Sequence, residues 1–277
     1  MPILPLRKLA DRPSESITTE WLEGVEAALN DEAVDNSDLC RRLLCELTFP
    51  RFATEYETAL ADKSIATGTR LALAALDPRN VTLEPEYYAE CDDEKFQRVK
   101  PLLWLWYSFD RTPLGGQNVD LGVRLRRLLA PRIFKRCGEN FKAFQNVEFS
   151  FGYNMEVGDN VVVHRHVLLD DRGGIVLGNR VSISDYANIY SHTHSIVDQK
   201  DVTNAVTVLD EGVRITYHAT VLAGVHVNEE GMVGAVAVAT KDVRPYHVNV
   251  GIPAKSVRVK PNAPTGPVNV TTVKPRA

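Results

Sequence analysis

The sequence predicts a mainly β protein, in which a parallel β-helix fills the second half of the chain behind a mostly α-helical N-terminal unit. Three observations carry that reading. Aliphatic residues recur every six positions between Met155 and Val243, a second small or apolar series runs two residues ahead of them, and residues 14–110 show helical spacing and caps instead.

The residues in step are Val157, Val163 and Leu169, then Leu177, Ile183 and Ile189, then Leu209, Ile215, Val221, Val227, Val233 and Ala239. The leading series runs from Met155 and Val161 to Gly231 and Ala237, and only Thr207 breaks it. A helix face repeats near ~3.6 and a half-buried strand near ~2, so neither explains a period of six. A short hydrophobic period of this kind marks a β-helix, each hexad being a strand and a corner. Three hexads close a triangular coil, and these make about four coils. An inward Val or Ile contributes ~1.5–3 kcal/mol when buried, but one coil cannot bury that face alone. The register breaks twice, where Asp171–Gly174 adds two residues and where Ser195–Val206 leaves as a loop. A long loop in a compact repeat is usually functional.

In order along the chain, Ser16 or Thr18 caps a helix to about Asn30 that presents Trp21, Leu22, Val25 and Leu29 on one face. Asn36-Ser37-Asp38 opens a second helix, which Pro50 ends. Helical signals follow at 51–61 and 69–76 and again from Asp92 into Pro101–Phe109, whose Trp104, Trp106 and Tyr107 form either a ligand box or a packed interface helix. Residues 111–146 read as a linker and connecting helix, 147–260 as the β-helix domain and 261–277 as a tail. The cations Arg124, Arg126, Arg127, Arg132, Lys135 and Arg136 could meet an anionic lipid, an acidic glycan or a cofactor phosphate, or simply be solvated.

Composition excludes more than it assigns. A net charge of −4 gives no electrostatic reason to expect nucleic acid. Met1–Arg12 lacks the apolar region of a signal peptide and no stretch is long enough to span a bilayer, so the expectation is a cytoplasmic protein. Cys40, Cys45, Cys91 and Cys137 have no C-x-x-C spacing and read as reduced helical thiols outside the hexad array.

At Val147–Asn160, Leu168-Leu169-Asp170-Asp171, Ser191-His192-Thr193-His194, Val233-Gly234-Ala235, Thr240-Lys241-Asp242-Val243 and Gly251-Ile252-Pro253-Ala254-Lys255 the chain resembles the hexapeptide-repeat acyltransferases of the maltose and galactoside O-acetyltransferase type. The resemblance covers about the last half of the chain. It implies a left-handed parallel β-helix, a homotrimer with active sites between subunits, acetyl-CoA as acyl donor, no metal, and a sugar, glycan or other small hydroxylated acceptor. Acyl transfer to a hydroxyl needs a base for the hydroxyl proton, and a histidine suits that task at neutral pH. His194 matches the family's catalytic histidine, directly before the ejected loop. Asp171 matches an acceptor-site aspartate but could equally be a hydrogen-bonded turn carboxylate, and His192 could touch the acceptor or stand exposed. Hexad counting sets Asp171 and His226 at the corner of His194, one coil to either side. On the CoA side the resemblance implies Tyr217, Ala235, Thr240, Lys241, Lys255 and Arg258.

The family's loop glutamate has no counterpart here, where Asp198, Asp201 or a backbone carbonyl could orient His194, and residues 1–110 do not resemble the family's N-terminal segment. Two other classes remain open. His164-x-His166 with His192-x-His194 could bind zinc as in β-helix carbonic anhydrases, though the spacing does not match that family. A non-catalytic trimeric scaffold is the other.

Overall fold

Short strands set six residues apart can bury their apolar side only by stacking coil upon coil, and the chain does this from Arg136 onward. In the computed structural model, which describes residues 12–198 and 200–265, three parallel sheets form the walls of a triangular prism. Sheet A takes Arg136–Cys137, Met155–Val157, Ile175–Leu177, Thr207–Leu209 and His226–Val227. Sheet B runs from Lys142–Ala143 through Ser182–Ile183 to His247–Val250, with Lys255–Val259 added antiparallel. Sheet C runs from Glu148–Phe149 through Leu168–Asp170 and Asn188–Tyr190 to Val238–Ala239. All twelve in-step residues are fully buried along the prism axis. Thr207, the break in the leading series, is also buried, and its Oγ1 donates to Tyr190 O at 2.6 Å while accepting from Gly224 N at 3.0 Å.

The coil count is higher than the expected four. Sheets A and C have five strands each and sheet B six parallel ones, so there are five complete coils and the start of a sixth. The additional first coil is Arg136–Phe149, most of which the sequence reading placed in the linker and connecting helix of 111–146. Its inward residues Cys137, Ala143 and Phe149 keep the six-residue step but are not a Val/Ile series. Cys137 therefore lies on a strand and Cys91 in a turn, while only Cys40 and Cys45 are helical; all four are free. Arg136 pairs with Glu156 and Glu156 with Val176, a twenty-residue coil, whereas Val208 pairs with His226, an eighteen-residue coil of three plain hexads. The extra pair of residues sits at the edge where the chain passes from sheet C to sheet A.

Ahead of the prism come α1 (Glu15–Asn30), α2 (Asn36–Thr48), α3 (Tyr56–Ala61), α4 (Thr67–Ala74), α5 (Asp93–Asp110), α6 (Pro113–Gly116) and α7 (Val119–Ile133). Asp35 caps α2, accepting from Ser37 N and Asp38 N. The aromatic run in α5 is a packed interface, with Trp106 fully buried edge-on to Phe149 at 5.3 Å and Trp104 Nε1 donating to Ala75 O at 2.9 Å. Phe134 packs edge-on against Phe141 and Phe149, so aromatic rings floor the first coil.

The arginine cluster of α7 is not a solvated face. Arg126 is buried and ion-paired with Asp110; its Nη1 donates to Ala143 O at 3.1 Å, and Asp110 Oδ2 accepts from Asn146 N at 2.8 Å. Burial pushes the Asp110 carboxyl up and the Arg126 guanidinium down, each opposed by the other's charge. Arg124 pairs with Glu15, and Arg127 Nε donates to Phe141 O. α1, α2, α5 and α7 share one continuous hydrophobic core with the prism, whereas α3 and α4 close a second, smaller cluster of Cys45, Tyr56, Ala59 and Leu73.

Ile183 stacks between Val163 and Ile215, so Ile183→Ala costs about 2–5 kcal/mol in denaturant unfolding. Ser182→Ala, on the outer face of the same strand, stays within about 0.5 kcal/mol of wild type.

Candidate active site

The C–A edge gathers the irregularities of the chain. Twenty-residue coils put Ser150, Asp170 and Tyr190 in one column and Phe151, Asp171 and Ser191 in the next. One coil beyond Asp170 the chain leaves the prism as an antiparallel hairpin, His192–His194 against Val202–Asn204. Its base closes through Ala205 N to Ser191 O at 2.8 Å and rests on Gly173, where a Cβ would stand 2.3 Å from Ser191 O and 2.6 Å from Ala205 N. At its tip Ser195 N donates to Asp201 O, the Asp198 carboxylate accepts from Lys200 N, and Ile196 and Val197 are fully exposed.

His194 is exposed at the end of its strand and meets the His192 ring edge-on at 5.2 Å. His192 is mostly buried, and its Nδ1 donates to Asp170 Oδ2. That bond assigns the tautomer and leaves Nε2 as an acceptor. Asp170 is itself held, with Oδ1 accepting from Ser150 Oγ at 2.5 Å and lying 3.5 Å from Arg172 Nε. Arg172 in turn stands 3.5 Å from Glu90 and over the Tyr88 ring at 3.7 Å, so the segment before α5 walls this edge. Sequence reasoning missed Asp170, Ser150 and this wall. The twenty-residue column from Ser150 to Asp170 is the signal that finds the first two once the first coil is recognised.

Asp171 is at the predicted corner but completely buried, and its two oxygens accept from Phe151 N at 2.7 Å and Asn154 N at 3.1 Å. It has no surface to offer an acceptor in this chain. Burial pushes its carboxyl up to about 6 against the opposing pull of those backbone donors. His226 is not at the hairpin corner; it opens a sheet A strand, and its Nε2 lies 2.7 Å from Asp210 Oδ2, which raises its pKa.

The CoA-side candidates occupy other positions. Tyr217 and Ala235 lie on the B–C edge in successive coils, joined by Val236 N to Tyr217 O at 2.9 Å, and among the described residues the Tyr217 N–H makes no hydrogen bond. The next corner along that edge is Gly251–Pro253, from which Lys255–Val259 crosses onto sheet B, leaving Lys255 and Arg258 exposed. Thr240 and Lys241 are exposed on the C–A edge, two coils beyond the hairpin. Within one chain His194 and Tyr217 therefore stand on different edges of the prism. The B–C edge also carries a ladder of stacked rings, His166 on Tyr186 at 4.7 Å and Tyr186 on His218 at 4.8 Å. His164 stacks on Phe144. The two histidine pairs of the zinc reading are thus on separate edges, and no metal-binding group occurs among the described residues.

The solved structures that share the fold of this prism include acetyltransferases, one of them described as hexapeptide-repeat-containing. No family model matches the chain. It is 25% identical over 140 residues to galactoside O-acetyltransferase from Escherichia coli (strain K12), covering 49% of this chain and 69% of that protein. A maltose O-acetyltransferase structure from Clostridium difficile 630 superposes with a TM-score of 0.54 at 22% identity, over 62% of this chain and 91% of that one. A hexapeptide-repeat-containing acetyltransferase from Vibrio cholerae O1 biovar eltor, complexed with acetyl-CoA, superposes with a TM-score of 0.52 at 21% identity, over 60% of this chain and 87% of that one. The fold is thus the left-handed β-helix of these enzymes, as the resemblance implied. No helix among the described residues is long and apolar enough to cross a membrane.

The burial of Asp171 has a stability consequence. Its folded pKa of about 6 exceeds the ~3.9 of an unfolded aspartate, so the folded state holds the extra proton between those values. The stability contributed by this group therefore declines as pH rises from about 4 to about 6. Asp171→Asn removes that slope and, by turning an amide against backbone donors, costs about 1–3 kcal/mol; urea titrations at a series of pH values measure both.

Proposed function

We infer that this chain is a CoA-dependent O-acyltransferase, moving acetyl from acetyl-CoA to a hydroxyl of a sugar, glycan or other small acceptor. The observation that carries the reading is the hairpin at the C–A edge, which holds His194 exposed beside a His192 fixed by Asp170. In the proposed reaction His194 takes the acceptor's hydroxyl proton as the oxygen attacks the thioester carbonyl carbon. The tetrahedral oxyanion collapses, the C–S bond breaks, and the CoA sulfur leaves with the proton that His194 held. The Tyr217 N–H, which no acceptor takes among the described residues, is suited to the developing oxyanion.

The reading includes a homotrimer. His194 and Tyr217 are on different edges of one chain, so a working site needs the B–C edge of a second copy, which brings Ala235, Lys255 and Arg258 along the donor, while Thr240 and Lys241 line it from the C–A edge of the first. The exposed Ile196 and Val197 at the hairpin tip, and the exposed Tyr186, Tyr217 and Val236, are apolar surface that such a neighbour would cover. Arg and Lys at the far end suit the cofactor's phosphates as charge partners.

His194→Ala lowers acetyl transfer from acetyl-CoA about 10²–10⁴-fold, the range for loss of a general base, and wild-type transfer rates in that variant would rule out the mechanism. Because the Asp170–His192 pair has the geometry of an oriented base, the same assay on His192→Ala and Asp170→Asn provides a second reading. If those two variants lose that much and His194→Ala does not, the base is His192. Acetyl-CoA and free CoA raise the melting temperature of the wild-type protein; no shift at saturating cofactor would favour a scaffold instead.

A further inference from the structure

The helical unit walls the C–A edge through Tyr88 and Glu90 but has no other part in the proposed reaction. Where that unit meets the first coil there is a cleft of about 740 Å³, lined by Lys95 and Arg98 of α5, Arg132 of α7, and Lys135, Tyr153 and Asn154. All four long charged side chains are cations, in a chain whose net charge is −4. Two are offset by single carboxylates, Lys95 by Asp92 and Lys135 by the half-buried Glu156, each at 2.7 Å. Surface pairs of this kind are worth about 0–1 kcal/mol, so a ligand oxyanion can replace the carboxylate.

Among the described residues the two arginines have no carboxylate within ion-pair distance. Arg98 makes no hydrogen bond or ion pair there, although it also lines the neighbouring groove with Glu32 and Asp35. Arg132 is pinned by donating to Leu29 O at 3.3 Å, to Leu128 O at 2.7 Å and to the Asn30 side chain. A guanidinium has five N–H donors, so a fixed arginine with three of them engaged still presents two. Lys95 Nζ stands 5.8 Å above the Tyr153 ring, which holds the ammonium at the cleft wall.

One lining residue of the cleft, Asn154, lies on the C–A edge, between Glu148–Phe149 and Met155–Val157. Asn154 O accepts from Ile175 N, and Gly174 O accepts from Thr207 N beside the hairpin base. Each such step is one coil, and with strands ~4.8 Å apart two steps span ~10 Å. We propose that this cleft binds the oxyanionic end, a phosphate or carboxylate, of a sugar acceptor, which lies along the C–A edge with its hydroxyl at His194. The placement of the hydroxyl rests on the acetyltransferase reading, whereas the anion site does not.

Inorganic pyrophosphate is the probe for the site itself. Calorimetry at low salt gives measurable binding to the full chain, and Arg98→Glu with Lys135→Glu weakens it at least about tenfold, as expected on losing charge-assisted bonds. The milder Arg98→Gln with Lys135→Gln loses less, and acetyl-CoA binds all three proteins equally. In transfer assays on matched phosphorylated and unphosphorylated sugars, the phosphorylated one has the lower KM, and the difference closes in the charge-reversed variant with kcat retained. Absent pyrophosphate binding in the wild type, or unchanged binding in both double variants, overturns the site. Intact binding with no preference for charged acceptors overturns the acceptor assignment. Intact binding with no transfer to any acceptor takes the assignment down together with the acetyltransferase reading and leaves the anion site standing.

Discussion

The aliphatic stack along the prism axis is the constraint on which the rest of this molecule depends. A single coil of three short strands has no inside, and its residues become a core only when Val163 sits on Ala143, Ile183 on Val163 and Ile215 on Ile183. Once that column is fixed, every coil must return to the same register, and any residue beyond three hexads has to be expelled at an edge. The expulsions all occur at the C–A edge, as two residues in each of the first coils and as a hairpin in the third. The stack thereby positions chemistry it does not contain: it aligns Ser150, Asp170 and Tyr190, and it presents His192 and His194 outside the wall.

The helical unit is bound to this stack by apolar and ionic contacts. Trp106 meets Phe149 beneath the first coil, and the buried Arg126–Asp110 pair reaches Ala143 and Asn146 with its remaining hydrogen-bonding groups. A buried ion pair adds little net stability over an apolar replacement, but removing one partner is costly, about 3–5 kcal/mol. The pair therefore helps to seat α5 and α7 on the first coil. The same seating brings Tyr88 and Glu90 to Arg172.

Most of the prism was legible in the sequence, because a period of six with a leading partner series has no other physical reading. The first coil was not, since Cys137, Ala143 and Phe149 keep the step without the Val and Ile that make it visible, and aromatic contact with helices replaces aliphatic stacking there. The corner of Asp171 and His194 was also legible, because register breaks can be counted. Which oxygen faces which group was not: Asp170 and Asp171 are neighbours in sequence, and one turns to His192 while the other turns inward to backbone donors. Nor could periodicity foresee that the arginines of α7 would be drawn into ion pairs and carbonyl contacts by a helix more than a hundred residues upstream and a coil just downstream.

The two ends of the described prism are both closed. The first coil is floored by Phe134, Phe141 and Phe149 under α5 and α7; at the other end Lys255–Val259 turns back antiparallel on sheet B, and the Gly251–Ala254 turn takes the hydrogen bonds of Val238. Open strand ladders at either end would let copies add head to tail without limit. With the first coil covered by helices and the last by a strand that runs antiparallel, neither end of the described prism offers a parallel ladder that another copy could extend in register.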